Sequence, residues 1–345
     1  MTTLYYTVDT EYEPAFTARN GPDSRRENFE RSILGRTSAG DAGIVYQMDK
    51  LDRHGLKGVF FVCPLPALLW GTAAIEDIVA PIMDRGHEVQ LHLHTEWLAL
   101  APPGCNPLGA KTGRNLRDFT LGEQCELIGL GKTILERAGA PSPIAFRAGN
   151  YGANDDTLRA LAANGMAFDT SHCPALLGAD DSIGLGPCHR RPVHRLGVVE
   201  VPVACIGDEG GPLRHAQLTA LSVQEIIAAL RHARSHELEN FTLVSHSFEL
   251  LSRDRRRINL IVKRRFDHMC EQVAAMRGVT TGTFSANPPR PLERRQPRPI
   301  LPQSPLRTGL RHIEQAISNA VYGARAYVPG LPFAEQALGH VAYVV

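Results

Sequence analysis

The chain has 345 residues, 43% of them hydrophobic, which is enough for one large α/β domain or two ordinary ones with a substantial core. Its 37 lysines and arginines almost cancel its 36 aspartates and glutamates, so whole-chain charge gives no argument for nucleic acid or membrane as a partner. Seven cysteines, an odd number with no C-x-x-C pair, argue against a cysteine zinc cluster and a disulfide framework and fit a reducing cytosol.

The opening MTTLYYTVDTE enters a strand pattern directly, with no basic region, apolar stretch or cleavage site, so a cytoplasmic location is expected. Strand-like runs rich in Val, Ile, Phe and Tyr follow at 4–9 (LYYTVD), 58–62 (GVFFV), 87–94 (HEVQLHLH), 144–149 (IAFRAG), 167–171 (AFDTS), 198–203 (VVEVPV) and 241–247 (FTLVSHS), with 278–284 (GVTTGTF) as an eighth. Helix-like segments lie between them, the alternation of a parallel α/β protein. Thr120 with Glu123 and Ser222 with Glu225 fit capping boxes, and Asn154 opens a helix that Gly165 can close. The apolar run VFFVCPLPALLW at 59–70 is too short and too proline-broken to span a membrane. After residue 285 the composition turns to SANPPRPLERRQPRPILPQSP, read as a linker or wrapping arm over 286–305. Residues 306–345 then offer a helix, LRHIEQAISNAVYGARAY, and an apolar end, GHVAYVV, suited to docking on the main domain or on a second chain as a homo-oligomer.

Polar residues gather at the C-terminal ends of the strands: Asp9, Glu11, His92, His94, Arg147, Asp169 and His246. In barrels of alternating strands and helices that end builds the active site, although strand ends also simply meet polar loops. Asp9 and Glu11 stand two apart, so on a strand both carboxylates leave one face; a cation between them, or a retained proton, would relieve their repulsion. In GHEVQLHLHTEW the strand period sets Val89, Leu91 and Leu93 against Gln90, His92 and His94, and a helical turn after His92 would stack Glu96 above it at i+4. Polar groups inside an apolar run need partners: a metal ion can serve all of them, and a hydrogen-bonded cluster is the alternative. Arg147 sits where it can orient a carboxylate or tie its strand to a neighbour, before a glycine-flanked turn whose amides can approach a ligand. His246 ends a buried-looking strand, as a structural or a catalytic histidine would.

The order of these pieces, an Asp-x-Glu on the first strand, GVFFV, a GHEV-x-x-H run, an FR-x-G-x-Y-G turn and a late L-x-S-H, resembles the polysaccharide deacetylase family, or NodB homology domain, over residues 4–284. The resemblance implies a distorted (β/α)7-type barrel at 1–285 that hydrolyses an acetamide, or less often an ester or another C–N bond, with one divalent metal. By it Asp9 is the base, Thr10 stands at a metal position without a carboxylate, and Glu11 becomes the ligand. His92 matches the first position of His-x-x-x-His and Glu96 the second, so the ion is held by Glu11, His92 and either Glu96 or His94. Zinc is the expected metal, with manganese, cobalt and nickel compatible. Arg147 matches the arginine that orients the base, in a turn one residue longer than the family's Arg-x-Pro-Tyr. Tyr151 matches the residue whose amide assists the oxyanion, and Asn150 and Trp97 join it as substrate-binding candidates. His246 matches the general acid, with Asp169 holding its proton. The implied substrate is an N-acetylated sugar, nucleotide- or lipid-linked, as in a surface-polysaccharide or O-antigen precursor, whose phosphates the basic segment 253–265 would meet if it is not an internal salt-bridge network. Hydrolysis of a small cyclic amide, or a catalytically silent glycan- or partner-binding relative, are the alternatives, the latter suggested by Thr10 and Glu96.

Overall fold

The computed structural model describes residues 1–178, 180–208, 213–291 and 299–323. Nine strands form its main sheet: β1 (Thr2–Thr10), β2 (Val59–Val62), β3 (Glu88–Leu93), β4 (Ala145–Ala148), β5 (Phe168–Asp169), β6 (Val193–Arg195), β7 (Val198–Glu200), β8 (Asn240–His246) and β9 (Val279–Thr281). Their order is β8-β1-β2-β3-β4-β5-β7-β6, with β9 also pairing β1. All pairs are parallel except β6 with β7. The sheet curls into a distorted half-barrel, so the expected fold class and all eight expected strands are present. The ninth, β6, is a three-residue VHR edge with only one hydrophobic side chain, too short for a pattern to announce it.

Helices α1 (Ile44–Arg53), α2 (Ala73–Asp84), α3 (Leu121–Arg137), α4 (Asp155–Ala163), α5 (Val223–Ser235) and α6 (Leu260–Ala274) join successive strands, and α7 (Pro305–Tyr322) follows the arm. Their starts are legible. Thr120, Asn154 and Ser222 each accept a hydrogen bond from the third residue of the helix they cap, satisfying an amide that has no intrahelical partner.

Strand alternation divides the core. Tyr6, Val8, Phe60, Leu91, Leu93 and Phe146 pack outward with helix residues such as Ile75, Ile78, Leu127 and Leu158. Tyr5, Val59, Phe61, Ala145, Phe168, Val199 and Phe284 fill the inner, concave side. Phe61 and Phe284 meet edge to face, their ring centroids 5.9 Å apart. Above this apolar plug, residues of the same parity near the strand ends, Asp9, His92 and Arg147, face one inner surface.

Helix α7 docks through charge. Arg311, 1% exposed, reaches Asp208 at 2.6 Å and Glu225 at 3.1 Å, while Arg265 meets Glu314 at 2.7 Å. Much of the basic segment 253–265 is engaged in this way: Arg257 donates to the Val321 carbonyl at 2.8 Å, Arg255 lies over the Phe248 ring, and Lys263 pairs with Asp267. These contacts fit the internal-network reading better than the phosphate reading. The apolar end GHVAYVV, and with it the homo-oligomer expectation, lies outside the described residues, as do residues 292–298 of the proline- and arginine-rich arm. Among the described residues no helix is long and apolar enough to cross a membrane.

Candidate active site and metal centre

Parallel pairing sets Asp9 beside His246 on one side and Phe61 on the other, and His92 beside Arg147. The strand ends therefore deliver their polar side chains to a common place. Arg147, wholly buried, donates from Nη1 to Asp9 Oδ1 at 2.6 Å and to Thr7 Oγ1 at 2.9 Å, and from Nε to the Thr170 carbonyl at 3.3 Å. Its guanidinium lies 4.6 Å from the centre of the Phe61 ring. A buried cation with four oxygen partners, Thr170 Oγ1 at 3.5 Å from Nη2 being the fourth, and an aromatic face is held in this orientation, so Arg147 fixes Asp9 rigidly. Asp9 Oδ2 makes no hydrogen bond among the described residues and is the oxygen left for a ligand.

Glu11, His92 and His94 form the one group of three metal-capable side chains among the described residues, with donor atoms all within 4.8 Å of one another. All three are buried. His92 Nδ1 donates to the Arg147 carbonyl at 2.8 Å, and His94 Nδ1 donates to Glu96 Oε2 at 3.1 Å. Each imidazole thus gives its Nδ1 proton to an acceptor and turns Nε2 toward Glu11, whose Oε2 lies 3.6 Å from His92 Nε2 and 2.5 Å from His94 Nε2. Glu11 Oε2 is buried and has only these two imidazole nitrogens beside it. Two imidazole nitrogens whose other ring nitrogens are anchored, and a carboxylate oxygen that faces only them, converge in a buried spot and match the donor set of a His2Glu divalent-metal site. Without a cation, burial opposes charge on both groups, but the attraction between them prevails: Glu11 is held well below the usual carboxylate range, and His94 well above the usual imidazole range.

The expected helical stacking of Glu96 over His92 does not occur. The chain turns at His94 into a short 3-10 segment, Thr95–Ala99, so Glu96 swings back to the far nitrogen of His94 instead of joining the cluster. His94, not Glu96, lies in the group with Glu11 and His92.

His246 Nδ1 contacts Glu249 Oε2 at 2.6 Å, one turn further along the chain, leaving Nε2 as the nitrogen open to a ligand. Glu249 is itself anchored by Gln217 Nε2 at 3.0 Å and by the amide and hydroxyl of Thr219. Burial disfavours the imidazolium, yet the Glu249 charge and hydrogen bond, helped by Asp9 and Glu11, raise His246 to about 9. Phe248 stacks on its ring at 5.2 Å.

Asp169 does not meet His246. Phe168 and Val199 belong to the inner cluster, so alternation turns their neighbours Asp169 and Glu200 to the outer face. There Ser171 donates to Asp169 Oδ1 at 2.7 Å, and Glu200 Oε1 accepts the His172 amide at 3.1 Å. The expected partner of the histidine is thus replaced by Glu249, an acid three residues after a strand-end histidine that sequence reasoning passed over. Trp97 is also displaced from its expected role: it is 1% exposed, edge-on to Trp70 with centroids 5.2 Å apart, and a side chain so enclosed cannot touch a substrate. Tyr151 is half-buried on the inner side against Cys173, Val203 and Val244. Asn150 Nδ2 donates to Glu96 Oε1 at 3.0 Å.

No family model matches the chain, and no curated protein matches it. Solved structures do. A putative polysaccharide deacetylase from Mycobacterium smegmatis superposes with a TM-score of 0.53 at 17% identity, covering 85% of this chain and 94% of that one. A 4-alpha-glucanotransferase from Thermococcus litoralis gives 0.53 at 12% identity over 87% of this chain and 41% of that one. A family 4 carbohydrate esterase from Streptomyces lividans, in complex with acetate, gives 0.42 at 12% identity over 88% and 98%. The chain therefore has the fold of the polysaccharide deacetylases. A glucanotransferase sharing it to the same degree means that activity has to be argued from the site.

Proposed function

We propose that this protein is a metal-dependent hydrolase that removes the acetyl group from an N-acetylated sugar. One observation carries the reading: an Arg-fixed carboxylate, a Glu-His-His donor set and a Glu-backed histidine occupy the C-terminal ends of strands β8, β1, β3 and β4 of one sheet. Glycosyl transfer fits less well. It requires a carboxylic acid free to give a proton to the leaving oxygen, whereas the inner-face acids are committed elsewhere, Asp9 to Arg147 and Glu11 to two imidazoles.

A divalent cation held by Glu11 Oε2, His92 Nε2 and His94 Nε2 would supply Lewis-acid polarisation of the acetyl carbonyl and a more acidic water. With two imidazoles and one carboxylate the set suits zinc, and manganese, cobalt or nickel less closely. The chain's own groups do the rest. Asp9, its Oδ1 tied to Arg147, presents Oδ2 to take a proton from the attacking water. An amide nitrogen cannot depart as an anion at neutral pH, so it needs a proton donor. His246, protonated up to about pH 9 and held at Nδ1 by Glu249, can give one from Nε2. Water enters and acetate and the free amine leave, so atoms and protons balance.

The finer reading is a cytoplasmic enzyme acting on a nucleotide- or lipid-linked precursor of a surface polysaccharide such as an O-antigen, and its cytoplasmic part draws on seven cysteines that are all free. For a phosphate-bearing substrate the exposed Arg253, Arg256 and Arg264 are the cations of this segment left over from the internal network. The test is acetate release by the zinc-loaded chain from a panel of N-acetylated sugars, free and nucleotide-linked, with small cyclic amides alongside. Release from the sugars that Asp9→Asn abolishes is the expected result. Turnover of the amides alone would move the assignment to another C–N bond, and no turnover of any compound by zinc-bound protein would overturn it.

A further inference from the structure

Asn150 and Tyr151 are consecutive residues with left-handed backbones, φ 56° and 55°, a conformation that a Cβ normally disfavours. Such a turn needs something to hold it, and its side chains indicate what it holds in return. Asn150 Nδ2 donates to Glu96 Oε1 at 3.0 Å, and the other oxygen of that carboxylate accepts from His94 Nδ1 at 3.1 Å. Asn150 also reaches Asn115 Oδ1 at 3.3 Å, and Asn115 in turn donates to Asp180 Oδ1 at 2.8 Å. Gly149 closes the other side. A Cβ there would stand 2.7 Å from the Leu93 carbonyl oxygen and 2.8 Å from Cγ and Nδ1 of His94, so this backbone lies directly against the imidazole. The His94 ring is thus enclosed by Gly149 on one flank and by a carboxylate on its Nδ1, and Asn150 fixes that carboxylate from 54 residues away.

We infer that Gly149 and Asn150 are positioning residues for the metal centre: with Glu96 they form a seat that fixes the ring plane of His94, and hence the direction of its Nε2 lone pair, before a metal arrives. The inference rests on the metal-site reading of Glu11, His92 and His94. A ligand oriented in advance binds more tightly because less ordering remains to be done on binding, and partners behind a ligating histidine typically carry about 10–100-fold in affinity.

The experiment is zinc titration calorimetry on the metal-stripped full chain, with thermal melts of each variant. Asn150→Gly keeps the left-handed turn and deletes only the amide. It should weaken zinc binding about tenfold, and Glu96→Gln should weaken it by a similar factor. Because both act through one hydrogen-bonded chain, the double variant should be little weaker than the worse single one. Gly149→Ala, which drives a methyl group at the ring, should weaken binding as well. Zinc affinity within twofold of the parent for Asn150→Gly, losses that multiply in the double variant, or a lowered melting temperature with unchanged affinity would each overturn the seat while leaving the metal site standing. A parent chain that takes up no zinc would overturn both together.

Discussion

Two pairs of carboxylates stand at strand ends of the same sheet, and burial alone does not tell them apart. Asp9 and Glu11 are 4% and 6% exposed, and Asp169 and Glu200 are 0% exposed. What separates them is the company they keep. On the inner face each acid meets a cation or a potential one, Arg147 for Asp9 and two imidazoles for Glu11, so their charge is stabilised. On the outer face Asp169 Oδ2 and Glu200 Oε2 receive no hydrogen bond from elsewhere, and burial pushes both carboxyls above the usual range, Glu200 furthest because the Asp169 charge adds to it. The outer pair can satisfy itself only by sharing a proton. A charged acid in a low-dielectric interior signals chemistry when something holds its charge there; a protonated acid signals packing.

The largest effect should separate the two pairs by activity. Asp9→Asn is expected to lower acetate release by about 10²–10⁴-fold, the usual weight of general base catalysis, and Asp169→Asn should leave the rate within a few-fold of the parent. Initial rates on an N-acetylated sugar measure both, and equal losses would erase the distinction between the faces. Next comes stability. Arg147→Met leaves Asp9 buried without its counter-charge and should cost about 3–5 kcal/mol in urea unfolding. A cost below about 1 kcal/mol would mean that the inner pair is no better organised than a surface ion pair.

A smaller effect concerns His246. Its imidazolium is sustained chiefly by Glu249 against burial, so in the metal-free protein its NMR titration should centre near pH 9 and fall by a unit or more in Glu249→Gln, about 1.4 kcal/mol per unit. The sign for stability follows. A histidine whose folded value is raised contributes stability that is complete below its ordinary range near 6.5 and disappears as pH climbs through about 9. Glu249, held low by the same contact, contributes stability that is lost instead as acid protonates it.

Much of this was legible from the residues. The spacing of Asp9 and Glu11 and the alternation of His92 and His94 required only the strand period, because Asp9 and His92 lie on long strands whose apolar faces fix the parity and Glu11 and His94 follow within one residue of the strand ends. The period failed at Asp169. β5 is two residues long, and so short a strand gives no pattern from which to read a face. At Glu96 the failure was conformational. A full helical turn would have put it over His92, but the 3-10 turn that forms gives it a different neighbour. Glu249 left a signal that could have been used, an acid three residues after a strand-end histidine. So did Glu200, a lone charge inside the apolar run VVEVPV.

The smallest effect tests the outer pair directly. If Glu200 keeps its proton to donate to Asp169, then Glu200→Gln replaces one neutral donor by another of nearly the same shape and removes the cost of holding a carboxyl protonated in the fold at neutral pH. An acid whose folded value lies above its unfolded one binds more protons in the native state than in the unfolded chain, so it lowers stability progressively as pH rises from the ordinary glutamate range toward the raised value. The contribution of Glu200 should therefore grow on mild acidification from pH 7 toward 5, in the same direction as that of His246, and the difference between Glu200→Gln and the parent isolates it: the variant should add about 1 kcal/mol at pH 7 and less at pH 5. Urea midpoints at pH 5, 6 and 7 measure both. A variant that loses stability at pH 7 would mean that Glu200 is ionised and held by a partner, and the two faces of the sheet would then be alike in how they treat a buried acid.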